Sequence, residues 1–356
     1  MIAYYMNDPA NTLITLENKI SSITVDLFGG AITNFHLKEN NINPLSFAFT
    51  KDQMPANNRS GAAYKGHFLC LGRWGEPSAG EINAGVPNHG EPANILWSAT
   101  KRDQQQINMQ VNAVLEGFHV ERKVVLDKDQ PVFAVSETIK NINPLGRLYN
   151  MVQHPTIAAP FLDNKTIVDC NASIGFDQRL YKYATKNILQ WHFAKDPDRN
   201  TIDLRTPAFA YNAVFSFIIE PEAKYGWVTA FSPTHHLLFG YLWKRNDYPW
   251  VHLWQHWDND SIQYRGLEFG TAGIHQPFKE ILETATTLFE EKTFAYIDAG
   301  ETVSKNYLSF ICETGKGFAG VEQINVLQNS LVIQPKGDKA DIIIHTSEQL
   351  IHELSK

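Results

Sequence analysis

A carboxylate and two imidazoles, far apart along the chain, are the side chains best suited to chemistry. Glu268 sits in QYRGLEFGTAG, between Leu267 and Phe269, in an apolar strand-like run closed by glycines. If Leu267 and Phe269 face a core, strand alternation sends Glu268 to the opposite face. That face is either solvent or a concave sheet surface, and on a concave surface desolvation raises the carboxyl pKa toward that of a useful base. His154 lies in YNMVQHPTIAAPFLD, where Leu148 to Val152 reads as a strand end and Pro155 is expected to stop the strand. His89 lies in GVPNHGEPANILW, a turn rich in Pro, Asn and Gly that leads into an apolar run. Turns at strand ends are where rigid scaffolds present functional side chains, and also where harmless polar residues collect.

Two further stretches suit a polyol. In LCLGRWGEP, Arg73 can hydrogen-bond hydroxyls while Trp74 stacks on a C–H face, or the arginine simply packs on its neighbour at the surface. In DYPWVHLWQHWDND, Trp250 and Trp254 share strand parity and point to one face. Trp257 does not, unless the strand ends or bulges first. An exposed aromatic face stacks sugars; a buried sheet interior is the competing account.

Other chemistries find no support. GEPSAGEINAG lacks the spacing of a phosphate-binding or dinucleotide-binding loop, and no G-x-S-x-G or H-E-x-x-H occurs. His235 and His236 are adjacent, so on a strand they point apart and do not share a metal. Cys70, Cys170 and Cys312 form neither a metal motif nor a disulfide framework and are expected to be reduced.

The elements that must position these residues are mostly short strands. TLITLENKISSITVDLFGGAITNFHL gives two or three, punctuated at Glu17-Asn18-Lys19 and Gly29-Gly30. Runs at 107–115, 118–126 and 132–141 follow, the last two joined by the hairpin turn Lys128-Asp129-Gln130-Pro131. Later runs fall at 213–220, 226–231, 236–243, 250–254, 305–313, 323–327, 330–334 and 340–345. Regularly spaced short strands mark a sandwich or barrel. One helix is expected between Pro277 and Thr293, where Phe278, Ile281, Leu282, Ala285, Leu288 and Phe289 form a 3.6-residue stripe. Residues 50–65 and 192–210 read as long loops.

The bulk numbers agree with one large all-β domain. The chain has 356 residues, 43% hydrophobic and 12% aromatic, which rules out extended disorder. Net charge is −7 with no basic block, so there is no electrostatic footprint for nucleic acid. No run has the length of a transmembrane helix. The opening MIAYYMNDPANTL lacks the charged and apolar regions of a signal peptide. The cytoplasm is therefore expected, with the periplasm as the alternative if a leader has been removed.

Taken in order, these fragments resemble the aldose 1-epimerase, or galactose mutarotase-like, superfamily over roughly residues 12–313. LENKISSITVDLFGGAITNFHL is similar to the family's opening hairpin, and NHGEPANILW to its His-Gly segment leading into a Trp strand. NMVQHPTIAAPFL resembles the second histidine segment, AYNAVFSF the sugar-binding segment, PWVHLWQHWD…YRGLEFGT the strand pair ending in the catalytic Glu, and DAGETVSKNYLSF the closing turn and strand. The resemblance implies an all-β supersandwich of antiparallel strands with few short helices and a sugar cleft on one concave face. A single domain over 1–356 is expected, with extra C-terminal strands in 314–356 that the resemblance does not cover and whose role it does not give.

It also implies an activity. Anomer exchange needs a base on the anomeric hydroxyl and an acid at the ring oxygen, two groups of separated pKa. By the resemblance Glu268 is the base and His154 the acid, His89 orients the sugar or assists at the ring oxygen, and Arg73, Asn212 and Trp254 bind it. No metal and no organic cofactor is required; the partner is a monosaccharide.

The chain departs from the pattern at Tyr211-Asn212-Ala213, where the galactose enzymes carry Asp, and at Pro155-Thr156, where they carry an aromatic residue. With only Arg73, and Arg59 or Lys65 as neighbours, to meet a phosphate, a neutral or unusual sugar is expected. A non-catalytic carbohydrate-binding or sensing protein and a polysaccharide-processing enzyme are the alternatives.

Overall fold

The computed structural model describes residues 12–207 and 210–355. Residues 1–11, on which most of the leader expectation rests, lie outside the described residues. Two large antiparallel sheets face each other. The first has ten strands in the order Leu13–Glu17, Ser21–Asp26, Ala31–Leu37, His67–Leu71, Met151–Ala158, Ser261–Gly270, Trp250–Asp258, Ala213–Ile219, Ala172–Asp177 and Leu189–Gln190. The second has eight, in the order Ile167–Cys170, Tyr225–Ser232, Leu237–Lys244, Thr302–Glu313, Val132–Asn141, Phe118–Leu126, Gln106–Ala113 and Ser98–Arg102.

The main core lies between the sheets. Leu267 and Phe269 are fully buried in it, and Phe269 stacks on Trp243 of the opposite sheet at 4.1 Å. Burial of such large side chains, at about 1.5–3 kcal/mol each, holds the sheets face to face. One polar network crosses the core: Arg122 pairs with Glu137, Gln153 donates to Glu137, and His67 bonds Gln153 and the Tyr241 hydroxyl. Every member has a partner, which is the condition under which buried charge is tolerated. Gln153 thus points inward, and alternation turns its neighbour His154 to the outer face.

That outer face of the ten-stranded sheet carries a second apolar layer. Phe47, Met54, Tyr64, Phe68 and Trp74 cover one part, and Phe176, Ile218, Trp250, Ile274 and Ile281 another. The segment at 50–65 contributes a single-turn helix, Lys51–Gln53, and residues 192–210 contain a small hairpin, Phe193–Lys195 with Thr201–Asp203.

The C-terminal strands Val321–Leu327, Ser330–Pro335 and Ile342–His345, with helix Glu348–Ser355, cover the outer face of the eight-stranded sheet. Leu331, Ile333, Leu350 and Leu354 pack there on Trp227, Leu238, Leu308 and Phe310. Strands such as Leu237–Lys244 are therefore buried on both sides, which explains their unbroken apolar run.

Two local expectations are corrected. The helix stops at Thr284, and Thr287–Leu288 and Glu291–Lys292 form a tiny hairpin instead. Phe289 and Glu290 make its turn with positive φ, and the apolar stripe is used to pack hairpin and helix on one patch of sheet. Nor does Pro155 end the His154 strand, which runs on to Ala158. Pro155 lies opposite His67, and the strand continues because flanking Gln153 and Thr156 keep their places in the ladder with Ser261–Gly270.

Candidate functional site

A row of side chains crosses the outer face of the ten-stranded sheet. Phe68 pairs with His154, and the register that pairs Gln153 with Phe269 and Thr156 with Gly266 sets His154 opposite Glu268. On its other flank Glu268 pairs with His252, which pairs with Ser216. Directly opposed residues bring their Cβ atoms to about 4.5–5.5 Å, so the backbone ladder itself assembles the row.

Glu268 is the hub. Its Oε1 is 3.3 Å from His154 Nε2, and its Oε2 accepts the indole N–H of Trp74 at 2.9 Å. Only 1% of Glu268 is exposed. Burial pushes its carboxyl up to about 8, against the opposing pull of the Trp74 bond. Burial likewise pushes the His154 imidazole down to about 3. His154 stacks on Phe68 at 4.4 Å, with its Nδ1 3.1 Å from the Thr156 hydroxyl. The two residues thus hold one proton between them at neutral pH.

His89 stands beside this pair, its ring 5.5 Å from that of His154. Its backbone is left-handed, with φ 60°, and is pinned on both sides: its N–H donates to the Gly75 carbonyl and its carbonyl accepts from Leu71. A non-glycine residue keeps that conformation only where its surroundings enforce it. The Gly75 N–H donates to His89 Nδ1 at 3.2 Å, which makes Nδ1 an acceptor and leaves the proton on Nε2. Burial drives this imidazole well below its ordinary range, so it is a neutral donor. Gly75 itself has φ 92°, and a Cβ there would lie 2.3 Å from His275 Nε2; only glycine fits.

Glu268, His154, His89, His275 and Trp74 line a cavity of about 210 Å³ together with Phe47, Phe49, Val214 and Trp254. That is far more room than a single water needs and is on the scale of a small molecule. Of the residues singled out in the sequence, Glu268, His154, His89 and Trp254 meet at this cavity. Arg73 does not reach it: its guanidinium pairs with Glu81 of helix Ala79–Asn83 and lies 4.6 Å over the Phe278 ring. Asn212 is also elsewhere, its side-chain oxygen accepting the Trp257 backbone N–H at 2.6 Å. Lys65 pairs with Asp26, and Arg59 is exposed.

Sequence reasoning missed three members. The GRWG context suggests only a stacking surface for Trp74, yet its indole N–H holds the Glu268 carboxylate. His252 shares the parity of Trp250 and Trp254 and could have been found there; its ring lies 4.0 Å from that of Trp74. His275 sits in the glycine-rich segment after Glu268 and had no distinguishing signal; burial pushes it down to about 4. Among the described residues, no group of three or more His, Cys, Asp or Glu side chains is arranged to hold a metal ion. No helix among them is long and apolar enough to cross a membrane.

No protein-family model and no curated protein matches the chain. Solved structures do. A galactose mutarotase related enzyme from Lactobacillus acidophilus superposes with a TM-score of 0.59 over 85% of this chain and 98% of its own, at 11% identity. The chain has the galactose mutarotase-like fold. Galactose mutarotase-like proteins from Lactobacillus casei and Clostridium acetobutylicum agree, with TM-scores of 0.54 and 0.55, 12% identity each, 84% and 85% of this chain covered, and 100% and 95% of theirs. Identities this low carry the mutarotase-like architecture alone; the chemistry has to be argued from the side chains.

Proposed function

We propose that the protein is a carbohydrate isomerase that interconverts the α and β anomers of a monosaccharide, with Glu268 and His154 exchanging the protons. The observation that supports this is the 3.3 Å contact between a buried carboxyl and a buried imidazole at the wall of a small-molecule-sized cavity. The mutarotase-like architecture of the neighbours is consistent with it.

The steps balance without a cofactor. Glu268, as carboxylate, takes the proton of the anomeric hydroxyl; the His154 imidazolium protonates the ring oxygen as its bond to C1 breaks, leaving the open-chain aldehyde. Rotation about C1–C2 and the reverse transfers close the ring as the other anomer. Burial favours the proton on the carboxyl. The ion-pair form carries the same number of protons, and sugar hydroxyls that hydrogen-bond the carboxylate draw the pair toward it. His89, with its proton on Nε2, orients the sugar near the ring oxygen. Trp74 holds Glu268 Oε2 so that Oε1 faces the reacting atoms, and Trp254 offers a flat face to the sugar's C–H bonds.

NMR exchange spectroscopy between the α and β anomeric protons of a panel of aldoses tests the proposal. Acceleration that vanishes in Glu268→Gln supports it. Binding without acceleration would favour a sugar-binding protein, and release of reducing ends from a polymer a polysaccharide-processing enzyme; either would overturn it.

A further inference from the structure

The imidazoles around the cavity differ in what they are bonded to. His154 is held at both nitrogens, by Glu268 at Nε2 and by the Thr156 hydroxyl at Nδ1. His89 is fixed at Nδ1 by the Gly75 N–H. His252, outside the lining, meets the Ser216 hydroxyl at Nδ1. His275 lines the cavity, yet neither of its ring nitrogens has a hydrogen-bond partner among the described residues. The proton transfers between Glu268 and His154 make no use of it.

The His275 ring is nevertheless held in place. Its backbone N–H donates to Gln178 Oε1 at 3.0 Å, and the Gln178 amide donates in turn to the Ser216 hydroxyl and, at 2.9 Å, to the Gly273 carbonyl. The ring meets Trp74 edge to face at 4.7 Å and lies against Gly75. A side chain already packed this way loses little further freedom when a ligand bonds it. Burial keeps it neutral at pH 7, so one ring nitrogen donates and the other accepts. A hydroxyl offers the same two functions. Trp74 links this ring to the reacting carboxyl, since its indole N–H holds Glu268 Oε2 while its ring touches His275. The C1 hydroxyl belongs to Glu268, so the hydroxyl left for His275 is a different one.

We infer that His275 is a specificity-determining residue that hydrogen-bonds one hydroxyl of the sugar other than that on C1; this rests on the isomerase reading above. A sugar without that hydroxyl leaves the imidazole shut away from water and without a partner, so it should be disfavoured about 10- to 100-fold. The bond lies away from the reacting atoms and is the same in ground state and transition state, so its loss falls on KM and not on kcat.

The test is a cycle between side chain and hydroxyl. Glucose, galactose and mannose, each with its monodeoxy derivatives at C2, C3, C4 and C6, are compared in the parent protein, His275→Phe, His275→Asn and His275→Gln. One arm measures kcat and KM for anomer exchange by NMR. The other measures binding by saturation-transfer NMR, which does not depend on catalysis. For the sugar handled best, removal of one hydroxyl should weaken both arms about 10- to 100-fold in the parent protein and change nothing in His275→Phe, with kcat kept within about threefold. His275→Asn or His275→Gln, whose amides stand near Nδ1 and Nε2, should restore part of the discrimination. In the parent protein the ¹⁵N resonances of the His275 ring should move with that sugar and not with its critical deoxy form, a readout that needs no variant to fold. A merely structural histidine would weaken every sugar alike and leave the deoxy penalties in place. That result, unchanged penalties in His275→Phe, or unmoved ring resonances overturn the inference. Should exchange be absent for every sugar while the cycle holds in binding, the isomerase reading falls and His275 keeps its role. If no sugar binds, both fall.

Discussion

Glu268 and His154 face each other across adjacent antiparallel strands, and their side chains meet at 3.3 Å between Oε1 and Nε2. Because the contact is set by ladder register, the backbone of the ten-stranded sheet holds it. Four expected outcomes follow from what surrounds it.

Glu268→Gln should lower anomer exchange by about 10²–10⁴-fold, the usual contribution of a proton-transfer group. Glutamine is isosteric and its side-chain oxygen can still accept from Trp74, so near-UV circular dichroism should be unchanged. A variant that keeps full activity would remove Glu268 from the mechanism. His154→Gln should show a loss of the same order.

The pH profile follows from the proton the pair shares. With Glu268 raised to about 8 and His154 lowered to about 3, the one-proton state spans the interval between, and kcat/KM should fall above about pH 8. A Glu268 acting alone as base would put the fall on the acid side, where it gains its proton; a proton shared with His154 puts it on the alkaline side. Stability gives a second readout. The folded-state pKa of Glu268 lies above its ordinary value of 4.5, so its contribution is complete below about 4.5 and is lost as pH rises through about 8. Glu268→Gln escapes that loss, and its Tm advantage over the parent protein should grow from pH 5 to pH 9. A flat kcat/KM and a constant Tm difference would contradict the assigned shift.

Gly266 shares a face with Glu268, and a Cβ there would stand 2.9 Å from Glu268 Oε1 and 3.1 Å from the Trp254 Cβ. Gly266→Ala should therefore turn the carboxylate out of line and reduce kcat/KM by up to about 10²-fold. Since the nearest atom ends a movable side chain, Tm should change little. Steady-state kinetics beside thermal melts would show whether the loss is catalytic or structural.

Arg73→Ala separates the sequence-based role of that residue from its structural one. Arg73 holds Glu81 on helix Ala79–Asn83, with 12% and 25% of the two side chains exposed. Its removal should cost about 1–3 kcal/mol by leaving a half-buried carboxylate without its charged partner, held only by the Ser78 N–H. KM should stay within about threefold, as expected of a group that does not touch the sugar. Urea midpoints and KM values check this; a large rise in KM at unchanged stability would restore Arg73 to the binding site.

Much of the sheet architecture was legible from the chain alone, because strand alternation is a local property. Leu267 and Phe269 inward and Glu268 outward, Trp250 and Trp254 on one face, and the C-terminal runs as strands all come from a two-residue period. The helix was legible only to Thr284, since the same apolar stripe serves a hairpin packed on the same patch. What the sequence could not decide was which outward side chains meet. Arg73 and Trp74 are neighbours in GRWG, yet a turn with glycines in left-handed conformation sends the indole to Glu268 and the guanidinium to Glu81. His252 and Glu268 lie on consecutive strands, but His154 reaches Glu268 through a strand from another part of the chain. Register between distant strands is fixed by the summed packing of both sheets, and the removal of water that sets the Glu268 and His154 protonation exists only once that packing is complete.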